Sequence, residues 1–213
     1  MSLLKLWATN IIYEPIAPEV TQEFLTDLIN IGFEYEASRP EAHVPVAMRK
    51  SPEVSYNLLL DDRESCQKFK QMLKSRMIEM AKAENFYDPE NVEFEATTAL
   101  RKFGPGEFAK THVHRSVDYV AVLWCHIDVT DFPGNNTHQK PAGSRLHIID
   151  PIAMRSRFLN HSVMHEVSPV PGTFLIHPSY LFHTSEINLG RVDTIALVTN
   201  IKVKETVRNY ATL

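Results

Sequence analysis

The chain has 213 residues, long enough for one domain with a sizeable buried core. Hydrophobic residues make up 44 % and charged residues 23 %, which excludes a disordered chain, a collagen-like fibre and a disulfide-dense mini-protein. With 22 basic against 26 acidic residues the net charge is −4, so the basic footprint of a protein that grips long nucleic acid is missing.

In chain order, Leu3 to Ile16 is rich in branched and aromatic residues and reads as a strand. From Pro18 to Ile31, Val20, Phe24, Leu28 and Ile31 recur at helical spacing, and Gly32 supplies a stop. Residues 33–59 carry Pro40, Pro45 and Pro52 and read as loop with short extended pieces. Asp61 and Asp62 favour the start of a second helix, in which Cys66, Phe69, Leu73, Met77 and Met80 form an apolar stripe. Its methionines are expected to pack in the core. From Val92 the period changes toward two. Val92 to Phe103 reads as a strand and Gly104-Pro105-Gly106 as a turn, with further strands expected around 108–114, 118–129, 145–149, 164–169, 172–177 and 192–203.

This pattern predicts a mainly β fold with flanking α-helices: a sandwich, barrel or jelly roll in one domain over 1–213. A helical and strand front, 1–91, would pack on a β core, 92–213. The loops 131–144 and 151–164 are expected to shape specificity, the second with Arg155 and Arg157.

Cys66 lies in a helical pattern and Cys125 in an apolar run, so two separate buried thiols in a reducing, cytoplasmic compartment are expected. Met1 to Trp7 lacks a signal-peptide core and cleavage site. The longest apolar run, Tyr119 to Cys125, is too short to span a bilayer.

Histidine is the informative residue. Of ten, nine lie between His112 and His183. Thr111-His112-Val113-His114 falls on an expected strand, where side chains two apart share a face, so His112 and His114 would present two imidazoles side by side. That suits the first two ligands of a divalent metal. A third must come from a distant part of the chain: His183 is the choice, with His177 and Asp118 as alternatives. An H-x-H pair alone is a weak signal, since solvated strand histidines look the same. His126, His138, His147, His161 and His165 read as ordinary surface or hydrogen-bonded histidines.

The H-x-H strand leads into the apolar Tyr119-Val120-Ala121-Val122-Leu123. Then come Gly143-Ser144-Arg145-Leu146-His147-Ile148-Ile149-Asp150-Pro151, a Pro171-Gly172 turn with the strand after it, Pro178-Ser179-Tyr180-Leu181-Phe182-His183, and a final strand from Thr194 to Asn200. This order of segments resembles a group of bacterial and phage 2-oxoglutarate, Fe(II)-dependent oxygenases. The resemblance covers about residues 108–201, and the opening Leu6 to Tyr13 looks like that family's first strand.

The resemblance implies a double-stranded β-helix (jelly roll) with Fe(II) at His112, His114 and His183 and 2-oxoglutarate as co-substrate. Most of the wider superfamily has a carboxylate at the middle position. Histidine there makes a neutral face that also suits zinc. The arginine that anchors the far carboxylate of 2-oxoglutarate in such enzymes falls, aligned on Asn200, at Thr194. The implied co-substrate residues are therefore Arg191, Thr194 and Asn200, with Arg101, Arg145 and Lys202 as other cations for the anchor. The function implied is a hydroxylase-type oxygenase of unidentified substrate: a small molecule, a peptide or a nucleic-acid base. A cupin-like three-histidine enzyme without 2-oxoglutarate and a non-enzymatic jelly-roll binding protein are the alternatives. No membrane or long nucleic-acid partner is expected, and a homodimer is left open.

Overall fold

The computed structural model describes residues 9–38, 56–129, 143–149 and 164–204. Among them are two α-helices and eight strands: β1 (Ile12–Glu14), α1 (Gln22–Ser38), α2 (Glu64–Ala83), β2 (Phe94–Phe103), β3 (Tyr119–His126), β4 (Leu146–Ile149), β5 (Met164–Val167), β6 (Phe174–Pro178), β7 (His183–Ser185) and β8 (Thr194–Val203). A five-stranded sheet has the order β1-β6-β3-β8-β2 and a three-stranded sheet the order β5-β4-β7. Every pairing is antiparallel. Two antiparallel sheets and two helices match the expected mainly β class.

The run Tyr119–His126 explains the layering. It is the middle strand of the large sheet and is covered on both faces, so its apolar residues do not alternate with polar ones. Tyr119, Ala121, Leu123 and Cys125 join the helix-side core with Leu28, Phe69, Leu73, Met77 and Met80. Val120, Val122 and Trp124 face the small sheet and pack with Leu146, Ile148 and Leu175. The methionine stripe of α2 is core, as its spacing predicts.

Several boundaries differ from the sequence reading. Helix α1 begins after Thr21, whose hydroxyl accepts from Phe24 N–H at 3.2 Å, and runs through Gly32 to Ser38. Gly32 is not a stop. A Cβ there would lie 2.5 Å from Leu100 Cδ1, so the glycine lets the helix sit on β2. Helix α2 starts at Glu64, because Asp61 instead accepts bonds from Arg63 and Tyr35. Of Leu3 to Ile16, residues 12–14 form the strand and 3–8 lie outside the described residues.

The segment 108–114 is not a ladder strand. It runs beside β7 with a single bridge, His112 to His183, and its other bonds are scattered: Ser185 N–H to Ala109 O and His114 N–H to Ser179 O. The short strand β7 was not expected at all. Of the two expected specificity loops, all but Gly143, Ser144 and Met164 lie outside the described residues, Arg155 and Arg157 included.

Candidate metal centre

The antiparallel register fixes what shares the inner face of the large sheet. Thr97 pairs with Asn200, Asn200 with Val120, and Val120 with His177. Four residues further along β2, roughly 13 Å at the strand rise of about 3.3 Å, Arg101 pairs with Ala196 and Ala196 with Trp124. Polar groups thus sit at two ends of an apolar wall.

At the first end three histidines converge. Ring centroids are 5.0 Å apart for His112 and His114, 4.3 Å for His112 and His183, and 5.2 Å for His114 and His183. One ring nitrogen of each lies within 4.8 Å of the others. Each Nδ1 has an oxygen partner: Lys110 O at 2.6 Å for His112, Asn200 Oδ1 at 2.6 Å for His114 and Leu181 O at 3.0 Å for His183. An oxygen acceptor places the proton on Nδ1 and leaves Nε2 with a free lone pair, the form a metal takes. Burial pushes His183 down to about 3 and lowers His114, so both are neutral at pH 7. Donor type, tautomer and spacing all fit a divalent cation.

His177 is fully buried beside this group, its ring edge-on to His183 at 4.8 Å. Its Nδ1 bonds Pro178 O at 2.9 Å and its Nε2 has no partner. It does not join the three converging nitrogens. Asp118 accepts the Val203 N–H at 2.8 Å and is likewise outside them.

A cavity of about 130 Å³ opens from the three histidines along the inner face. Its walls are apolar, with Val120, Val122, Trp124, Leu146, Ala196 and Val198. At the end away from the Asn200 row, Arg101, Ser144 and Thr194 contribute polar groups. Ser144 and Thr194 are buried and share one hydrogen bond of 2.8 Å between their hydroxyls. Two hydroxyls hold two protons and this bond uses one, so an O–H remains to donate to a ligand. Ser144 sits in the left-handed region at φ 59, an uncommon conformation for serine.

The anchor candidates separate on geometry. Arg191 is exposed, its backbone N–H donates to Asp128 Oδ2 at 2.7 Å, and it is not among the cavity residues. Arg145 is engaged by Glu186 at 2.7 Å and Glu166 at 3.1 Å on the outer side of the small sheet. Lys202 is exposed near the end of β8 and does not line the cavity. Arg101 alone of the four does. Thr194 lines the cavity as well, and Asn200 acts through His114. Sequence reasoning ranked Arg191 first because it lies nearest Thr194 along the chain. Which of the four cations reaches the cavity depends on the β2–β8 register, and the sequence offers Ser144 only as part of the segment from Gly143 to Pro151.

Another trio, His147, Glu166 and Glu186, also has metal-like spacing. Its groups already bond one another and Arg145, with His147 Nε2 at 3.0 Å from Glu186, so it reads as an ion network. A larger open groove of about 530 Å³ between α1 and α2 is lined by charged residues such as Asp27 and Lys68 and holds no histidine.

No protein-family model matches the chain, and no curated protein matches it in sequence. Solved structures do. The chain is similar to a Pseudomonas putida prolyl-4-hydroxylase, with TM-score 0.53 and 15 % identity over 92 % of this chain and 88 % of that one. It is similar to SnoK, a non-heme alpha-ketoglutarate-dependent carbocyclase from nogalamycin biosynthesis, with TM-score 0.57 and 9 % identity over 95 % and 85 %. A non-heme monooxygenase, ThoJ in a nickel complex, gives TM-score 0.57 and 8 % identity over 92 % and 74 %. The fold is therefore one shared with non-heme oxygenases. At these identities the likeness concerns the fold, and function must be argued from the site.

Proposed function

We propose that the chain is a non-haem Fe(II), 2-oxoglutarate-dependent oxygenase built on a jelly roll, with His112, His114 and His183 as the metal ligands. The observation that carries this reading is the two-ended cavity: three Nε2 lone pairs at one end, a guanidinium and a spare hydroxyl proton at the other, and apolar walls between. A short 2-oxo dicarboxylate has the matching chemistry, with a chelating head for a metal and a far carboxylate for an arginine fork. Structural likeness to an alpha-ketoglutarate-dependent enzyme supports the same ligand.

In this reading Arg101 anchors the far carboxylate in place of the arginine missing at Thr194, aided by the Ser144–Thr194 hydroxyls. Lys110 O, Asn200 and Leu181 O hold the three rings in their metal-binding tautomer. Val122, Trp124 and Val198 exclude water from the middle of the cavity. When bound, Fe(II) with 2-oxoglutarate and dioxygen supplies the oxidising chemistry, and the protein supplies ligand geometry, orientation and dryness.

Calorimetry under anaerobic conditions tests this. Binding of 2-oxoglutarate should require a loaded metal and should weaken by about 2–5 kcal/mol in Arg101→Met, the range for truncating one partner of a buried charge pair. An affinity unchanged in that variant would remove Arg101 from the site. The all-histidine ligand set favours one second reading, a three-histidine enzyme that does not use 2-oxoglutarate. Metal uptake with no 2-oxoglutarate binding would select it.

A further inference from the structure

Charge is the feature of this cavity that the functional reading leaves unexplained. Among the described residues that line it are one guanidinium, three imidazoles and no carboxylate. Acidic groups nearby are used elsewhere: Glu186 is held by Arg145 and His147, Asp193 faces Lys102, and Asp118 receives the Val203 N–H. Three neutral imidazoles add no charge to a bound divalent cation. The cation contributes two positive charges, Arg101 a third, and a 2-oxo dicarboxylate removes two. One positive charge is left uncompensated between apolar walls, where an unpaired charge is costly.

We infer that the loaded cavity selects a third, singly negative group no larger than a carboxylate, so that the enzyme's primary substrate presents an anionic group beside the metal. This rests on the functional reading above and extends it to the substrate's charge. Size is consistent with the assignment. A cavity of about 130 Å³ is largely taken up by a five-carbon dicarboxylate, so a further group must be small, and His112 is the most exposed of the three candidate ligands. A free anion and the carboxylate of a larger molecule share this chemistry, and the probes below separate them.

The test uses the full chain loaded with Co(II), kept anaerobic with saturating 2-oxoglutarate, and reads the visible ligand-field bands of the metal. Sodium acetate, its neutral isostere acetamide and sodium azide are titrated separately. Acetate should shift the bands with saturation while acetamide at equal concentration does not. A response to both acetate and azide assigns the site to a small free anion. A response to acetate alone assigns it to a carboxylate-bearing substrate. In His114→Asp, where a carboxylate supplies the missing charge and Asn200 can turn its amide to donate to it, the acetate affinity should fall at least tenfold, about 1.4 kcal/mol. If that variant does not load, His112→Asp makes the same charge change at the more exposed ligand. Equal responses to acetate and acetamide, no response to acetate or azide, or an acetate affinity unchanged by the added carboxylate would each overturn the inference while leaving the functional reading intact. Failure of the wild-type chain to take up Co(II) at all would overturn both.

Discussion

Single side chains decide the chemistry of this site, and the acceptor at each Nδ1 is the most sensitive of them. Asn200 Oδ1 lies 2.6 Å from His114 Nδ1. Asn200→Ala removes that acceptor and should lower metal affinity 10- to 100-fold, the usual cost of losing such a partner. Asn200→Asp keeps an acceptor and should restore most of it, as competition with a chelator would show. His183→Ala should abolish tight metal binding, whereas His177→Phe should leave it in place. The latter variant also removes a buried nitrogen without a partner, and Pro178 O keeps the Leu181 N–H at 3.2 Å. Its thermal midpoint should therefore not fall. Loss of metal from the phenylalanine variant would make His177 a ligand.

At the scale of elements, the close approach of α1 to β2 depends on Gly32. A methyl group there would meet Leu100 Cβ at 2.9 Å and Leu100 Cδ1 at 2.5 Å. Gly32→Ala should cost about 1–3 kcal/mol from overpacking, despite alanine's better helix propensity. Leu100→Ala in the same chain should relieve part of that, measurable as coupling in a denaturant double-mutant cycle. The same pair shows why sequence reading placed the helix end wrongly. A glycine after an apolar stripe looks like a C-cap, and only the neighbouring strand reveals that it serves packing. Strands covered on both faces, such as Tyr119–His126, were legible because continuous burial leaves a continuous apolar run. The segment 108–114 was misread as a ladder strand, yet its two histidines still meet, because His112 is bridged to His183 and His114 is tied to Ser179 and Asn200. The convergence of the three candidate histidines was thus readable from spacing and resemblance. Arg101 was one of several candidate cations and could not be singled out, because its place at the cavity depends on a register that joins residues 101 and 196.

Taken as a whole, the molecule is a layered β structure whose helix side is braced by charge and whose inner side carries the histidine-lined cavity. Buried Arg76 of α2 is held by Glu14 at 3.0 Å and Glu19 at 2.9 Å, which ties the helix to the N-terminal segment. Burial pushes Glu19 up, but bonding to Arg76 outweighs it and leaves the carboxyl below its usual value. The Arg63 guanidinium holds Asp61 down to about 2. A carboxyl lowered in the fold contributes stability that is fully present above its unfolded value and is lost as pH falls through the folded one. The metal-free protein should therefore lose stability between about pH 4 and 2. In Asp61→Asn that acid-dependent loss should be smaller, as urea midpoints at pH 5 and pH 3 would show. Among the described residues no helix is long and apolar enough to cross a membrane.

In the proposed function one cavity chelates 2-oxoglutarate at a three-histidine metal and holds its far carboxylate on Arg101. An anaerobic titration of the Fe(II)-loaded protein with 2-oxoglutarate, followed in the visible region, tests it most directly. A metal-to-ligand charge-transfer band should appear, saturate at one co-substrate per iron and need a far higher concentration in Arg101→Met. Iron held by the protein with no band at any 2-oxoglutarate concentration would contradict it.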